Sequence, residues 1–146
     1  MLYTGLDLHK SYSYITTIDD KGQIVGQKKL PSNGEVIEFI EEFGESMEVA
    51  IEATPSWYWL YDQLEYEGFD VKLSHPLRTK AIASAKVKTD KVDSATMAHL
   101  LRSDLLPLSY VPERFVRLNR ELLRYRASLV KIQSGIVNRQ QKWHRF

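Results

Sequence analysis

The chain has no cysteine, which excludes disulfide cross-links, thiolate nucleophiles and zinc sites built on sulfur. Its five prolines and seven glycines in 146 residues are too few for a collagenous or low-complexity chain. No apolar run approaches the roughly 20 residues of a membrane span, and no basic-then-apolar leader opens the sequence. A cytoplasmic protein is the expectation. Net charge is nearly absent too, with 20 Lys and Arg against 19 Asp and Glu. What remains is the 43% hydrophobic, 27% charged composition of a soluble globular protein, long enough for one domain with a real core.

The balanced total conceals a division. Residues 1–111 carry 11 basic side chains against 17 acidic ones, and residues 112–146 carry 9 against 2. Within the first part, residues 72–102 hold seven basic side chains and only Asp90 and Asp93 as acids. Cations clustered in this way point to an anionic partner, most simply a nucleic-acid backbone. The plain alternative is a solvated helix face.

Periodicity supplies the elements. In residues 2–9, Leu2, Thr4, Leu6 and Leu8 alternate with Tyr3, Gly5, Asp7 and His9, the two-residue period of a strand. Residues 12–19 and 24–30 read as two further strands joined through "DDKGQ", with Gly22 at the turn. Pro31-Ser32-Asn33 is expected to start a helix to about Phe43, with Val36, Ile37, Phe39 and Ile40 inward. A fourth strand (47–53) divides Met47, Val49 and Ile51 from Glu48, Ala50 and Glu52. Pro55 opens a helix ending near Gly68, 69–74 is a fifth strand, and Pro76 starts a helical stretch to about Ala85. A further helix begins in "KTDKVDS" (88–94) and runs to about Ser103. The order βββαβαβαα describes an α/β fold with a mixed sheet flanked by helices.

Beyond residue 111 the pattern changes. Phe115, Leu118, Leu122, Tyr125, Leu129, Ile132 and Ile136 recur at alternating spacings of three and four, the seam of a coiled coil. Val116, Leu123, Val130 and Val137 widen the stripe. A long coiled-coil-like helix of this kind must pack on a second copy, on the sheet domain or on a helix outside this chain, and a homodimer or higher homo-oligomer through residues 115–137 is expected. The chain divides accordingly into a sheet domain, 1–111, and a basic heptad helix, 112–146.

Four acids stand out. Asp7 lies mid-strand on the face opposite Leu6 and Leu8, where a carboxylate is costly unless paired or metal-bound. Glu52 ends another strand on its less apolar face. Asp90 and Asp93, three residues apart, share one face of a helix. Were the two strands neighbours and the helix packed above them, four carboxylates would meet. Divalent ions are the usual remedy for such repulsion, and a metal pair can clamp the attacking and leaving oxygens of a phosphodiester. Each acid has a plainer reading: Asp7 a water-facing edge residue, Glu52 a strand-end charge, Asp90 an N-cap with Asp93 reaching back in a capping box.

"GLDLHK" (5–10), "IEAT" (51–54) and "KTDKVDSATMAHLL" (88–101), in that order, together with "SHP" and "LLPLSYVPE", resemble the DEDD transposases. This insertion-sequence family includes the pilin-gene DNA invertase and recombinases guided by a bridge RNA. The resemblance implies an RNase H-like fold of the Holliday-junction-resolvase (RuvC) type. It also implies that Asp7, Glu52, Asp90 and Asp93 are the family's catalytic acids and bind Mg2+, for which Mn2+ can substitute. DNA, and a guide RNA, are the implied partners. The family's recombinases carry a second, C-terminal domain with a serine that attacks the DNA phosphate. No GxSxG-like elbow replaces it here, so a fragment holding the metal half of a composite site is expected. Pro55-Ser56 stands where glycines are expected after "EAT".

Two other readings compete with a transposase domain: a metal-free nucleic-acid-binding and dimerisation module of the same fold, and a stand-alone resolvase-like nuclease. The candidate phosphate contacts are Lys10, Lys88, Lys91, Arg117 and Arg124, all equally readable as solvated surface. Tyr58 and Trp59 offer planes for stacking bases, while Trp57, Leu60, Tyr61 and Leu64 fall at core spacing. His9 and His75 lack ligand spacing and read as structural.

Overall fold

A computed structural model describes residues 1–43, 46–55, 57–83 and 89–143. Its contacts form two compact units, Met1–Tyr110 and Val111–Phe146.

The first unit is built on five strands: β1 (Leu2–Leu8), β2 (Ser13–Ile18), β3 (Ile24–Leu30), β4 (Met47–Glu52) and β5 (Asp70–Ser74). Helices α1 (Glu35–Glu41), α2 (Trp57–Tyr66), α3 (Pro76–Ile82) and α4 (Asp90–Arg102) surround them. The sheet order is β3-β2-β1-β4-β5. β2 lies antiparallel to both β1 and β3, while β1, β4 and β5 run parallel. This mixed sheet is the one the element pattern predicts, and it is RNase H-like, as the family resemblance implies. β1, the strand with the cleanest alternation, lies at its centre.

The alternation decides which residues go where. Leu6, Leu8, Ile15, Val49 and Ile51 are buried on one face, with Val36, Ile40, Leu60 and Leu64 among the buried residues of α1 and α2. Trp57, Leu60, Tyr61 and Leu64 are the buried residues of α2, as their spacing predicts. On the other face α4 lies across β1 and β2, and it approaches closest at Gly5. A Cβ there would stand 2.7 Å from the Ala98 backbone nitrogen. Beside this contact the buried hydroxyls of Thr16 and Ser94 hydrogen-bond at 2.7 Å, tying strand to helix.

Both sheet edges are protected. The outer strand β3 exposes Lys28 and Lys29, which discourage pairing with another chain. Beside β5, the Ser109 N–H donates to the Leu73 carbonyl at 2.7 Å and the His75 N–H donates to the Pro107 carbonyl at 2.8 Å. "LLPLSY" thus closes that edge.

Two helix starts differ from expectation. α1 begins at Glu35, not in Pro31-Ser32-Asn33. The Asn33 side chain is engaged elsewhere: its Nδ2 donates to the His9 carbonyl at 3.0 Å, and its Oδ1 accepts from the Ser13 hydroxyl at 2.7 Å. α4 is capped by Thr89, whose Oγ1 accepts from the Val92 N–H at 3.2 Å. Asp90 is therefore the first helical residue rather than the cap, and the capping-box reading does not hold. α3 ends at Ile82; Ala85 lies outside the described residues.

The second unit is one helix, α5 (Arg114–Trp143). The heptad residues Phe115, Leu118, Leu122, Tyr125, Leu129, Ile132 and Ile136 are all exposed. No described helix is long and apolar enough to cross a membrane.

Candidate metal centre

The carboxyl end of β1, the end of β4 and the first turn of α4 enclose an open cleft of about 370 Å³. Its polar lining is Asp7, His9, Glu52, Thr54, Asp90 and Asp93, with Thr89 at the rim. β1 is central, so Asp7 is not a water-facing edge residue; only 5% of it is exposed. Parallel pairing of Leu6 with Ile51 brings Glu52 level with Asp7 one step further along both strands. α4, seated on Gly5, carries Asp90 and Asp93 in its first turn. Thr89 caps the helix start, and both carboxylates line the cleft. The helix dipole also favours negative charge there.

This concentration of acid leaves an imprint on Asp7. Burial pushes its pKa above the ordinary carboxyl value, His9 opposes that shift, and the charges of Asp90 and Asp93 add to it. Positive charge between these groups would reverse the sign of the pressure. The donor set suits a hard divalent ion such as Mg2+ or Mn2+, which takes carboxylate oxygens and keeps several waters. The buried Thr54 Oγ1 has no hydrogen-bond partner among the described residues, and at the cleft wall it is placed to bond such a water. The residues present therefore fit a hydrated divalent cation.

His9 differs from its reading as a merely structural histidine. Its Nε2 lies 3.3 Å from Asp7 Oδ2 and 3.4 Å from Asp90 Oδ2. One donor atom from each of these three residues falls within 4.8 Å of the others. The Tyr12 ring stacks on His9 at 4.4 Å between centroids, and its hydroxyl donates to Asp90 Oδ2 at 3.0 Å. That bond raises the Tyr12 pKa, since removing the proton would set a phenolate against a carboxylate. Lys29 Nζ lies 4.1 Å from the centre of the same ring. Only the two-residue offset of Asp7 and His9 in "DLH" hinted at a shared strand face. His75, in contrast, caps α3.

Lys10 is exposed in the turn after β1 and Lys91 is exposed on α4, while Lys88 lies outside the described residues. Arg117 and Arg124 belong to α5, seven residues apart. Tyr58 is half-buried against Trp57, at 4.3 Å between ring centroids, and Trp59 is exposed.

Residues 4–143 match a family model described as a transposase, of the DEDD kind named for the insertion sequence IS110. No curated protein matches the chain.

Proposed function

Given that the chain belongs to the IS110-type DEDD transposases, we propose that its first unit is the metal-binding catalytic domain of a DNA transposase or recombinase. The observation that carries this reading is the convergence of Asp7, Glu52, Asp90 and Asp93 on one cleft from two strands and a helix. A divalent ion, Mg2+ or Mn2+, bound there would supply Lewis-acid stabilisation of charge developing on a scissile phosphodiester. In this reading Asp7, buried on the central strand, would hold the ion from the sheet side. Glu52, Asp90 and Asp93, each partly accessible, complete its shell and orient the phosphate. Lys10, Lys91 and Arg124, which are exposed, together with Lys88, would meet the phosphates of DNA or of a guide RNA, contacts that hold a strand without reading its sequence; Arg117 is buried.

The test is strand cleavage of supercoiled plasmid and of a four-way DNA junction, in Mg2+ or Mn2+ and in chelator. Cleavage is expected to need the metal. Each of Asp7→Asn, Glu52→Gln, Asp90→Asn and Asp93→Asn should slow it by more than about 100-fold, beyond the 10–100-fold typical of outer-shell changes. Cleavage that survives both chelator and these substitutions would sink the reading. DNA binding with no divalent ion bound at the cleft would mark the unit as a metal-free binding module instead.

α5 is read here as a self-association helix. Its apolar heptad residues are exposed, Leu122 by 66% and Leu129 by 48%, and a stripe of this length is costly to leave in water. Light scattering should give the mass of a dimer or larger assembly, falling to a monomer in a Leu122→Glu, Leu129→Glu double variant. An unchanged mass would exclude this role for α5.

A further inference from the structure

We infer that His9 is a nitrogen ligand of the divalent ion in the cleft, joined to Asp7 and Asp90, so that the centre is a mixed nitrogen–oxygen site that prefers Mn2+ to Mg2+. This inference rests on the metal reading of the same cleft and adds a residue to it.

The first support is geometry. His9 Nε2 stands 3.3 Å from Asp7 Oδ2 and 3.4 Å from Asp90 Oδ2. A charge-assisted N–H···O bond closes to about 2.7–2.9 Å. One N–H, moreover, cannot point along two directions at once, and hydrogen bonds weaken steeply as they bend. Neighbouring donors on an octahedral ion with bonds of about 2.1 Å sit about 3.0 Å apart. Both separations from His9 are within a few tenths of an ångström of that spacing, and the three donor atoms all lie within 4.8 Å of one another.

The second support is that the imidazole is held in place by its surroundings. The turn after β1 is closed by the His9 N–H donating to the Tyr12 carbonyl at 3.0 Å. Asn33 then clamps the turn, donating to the His9 carbonyl and accepting from Ser13. Tyr12 stacks on the ring with an interplanar angle of 22° and reaches past it to Asp90. Backbone and ring are thus restrained by Tyr12, in the turn before β2, and by Asn33, in the segment before α1. A histidine that only filled surface would not need its backbone N–H, its carbonyl and its ring each to be engaged. Preorganisation of this kind lowers the ordering cost of a ligand.

Ligand chemistry sets the consequence. Imidazole suits the first-row transition ions, whereas Mg2+ is served by carboxylate, carbonyl and water. His9→Gln should therefore weaken Mn2+ binding by about tenfold or more while changing Mg2+ binding by less than about threefold.

The test is electron spin echo envelope modulation of Mn2+ bound to the full chain, read independently of any cleavage. Natural-abundance protein should show coupling to one directly bound 14N. Labelling histidine with 15N should replace it by 15N coupling without altering the sequence, and His9→Gln should abolish it with the Mn2+ still bound. Mn2+ held by the four acids with no nitrogen coupling, or with coupling that survives His9→Gln, would overturn the ligand assignment and leave the metal reading intact. Failure to bind Mn2+, or binding unchanged in Asp7→Asn, would overturn both.

Discussion

Mn2+ at a hundred times its dissociation constant should raise the melting temperature of the wild-type protein by about 10 °C, and the Asp7→Asn protein should show no such rise. The linkage is direct: a ligand that binds only the folded state at that excess stabilises it by about 2.7 kcal/mol. A unit of about this size gains several degrees per kcal/mol. The same substitution should act in the opposite sense without metal. Burial, then the charges of Asp90 and Asp93, raise the Asp7 pKa in the folded protein, against an opposing pull from His9. Between the unfolded value, 3.8, and the raised folded value, the folded chain binds the proton that the unfolded chain has released. Stability of the metal-free protein must therefore fall as pH rises through that window. Above it the buried carboxylate is a standing cost, which an uncharged Asn of the same shape removes. In chelator at neutral pH, Asp7→Asn is thus expected to melt higher than wild type, by differential scanning calorimetry. A lower melting point there, or an equal Mn2+ shift in both proteins, would contradict the role assigned to Asp7.

The second large effect lies at a residue with no side chain. Gly5→Ala should cost about 3 kcal/mol or more, at the upper end for overpacking, and should also abolish the Mn2+ shift in melting temperature. The added methyl would press into the Ser94 carbonyl oxygen, stand 2.7 Å from the Ala98 nitrogen and 3.0 Å from the Met97 Cβ. Two of these are helix backbone, which cannot rotate out of the way. α4 must lift from β1, and it carries Asp90 and Asp93 with it. Gly68→Ala is the control. Gly68 has φ +89° and open space where a Cβ would stand, so the change should cost only the backbone strain of about 1–2 kcal/mol and leave the Mn2+ shift intact. If Gly5→Ala binds Mn2+ like the wild type, close packing of α4 on β1 does not assemble the cleft.

Much of this arrangement is legible in the chain because the signals are local. Alternation in "LYTGLDL" fixes Asp7 on the face away from Leu6 and Leu8 whatever surrounds it. The three-residue spacing of Asp90 and Asp93 places them together on any helix. The same logic assigns Trp57, Leu60, Tyr61 and Leu64 to the core, where they are. Misreadings occur where a side chain finds its partner far along the chain. Asn33 has the composition of a helix start, yet its amide is committed to the 9–13 turn, and α1 begins later. Thr89 and Asp90 are both competent N-caps, and local propensity does not choose between them. His9 carries no ligand spacing, since its neighbours at the cleft include Asp90 on a separate helix.

The sequence alone determines the strands and helices, the face on which each acid stands, and the apolar stripe of α5, because each depends on a period of two to seven residues. Only the tertiary structure decides that β4 lies parallel beside β1, that α4 descends onto Gly5, and that His9 and Thr54 share the cleft with the four acids. Those outcomes depend on which surfaces bury one another, a sum over distant contacts that no short window of sequence contains.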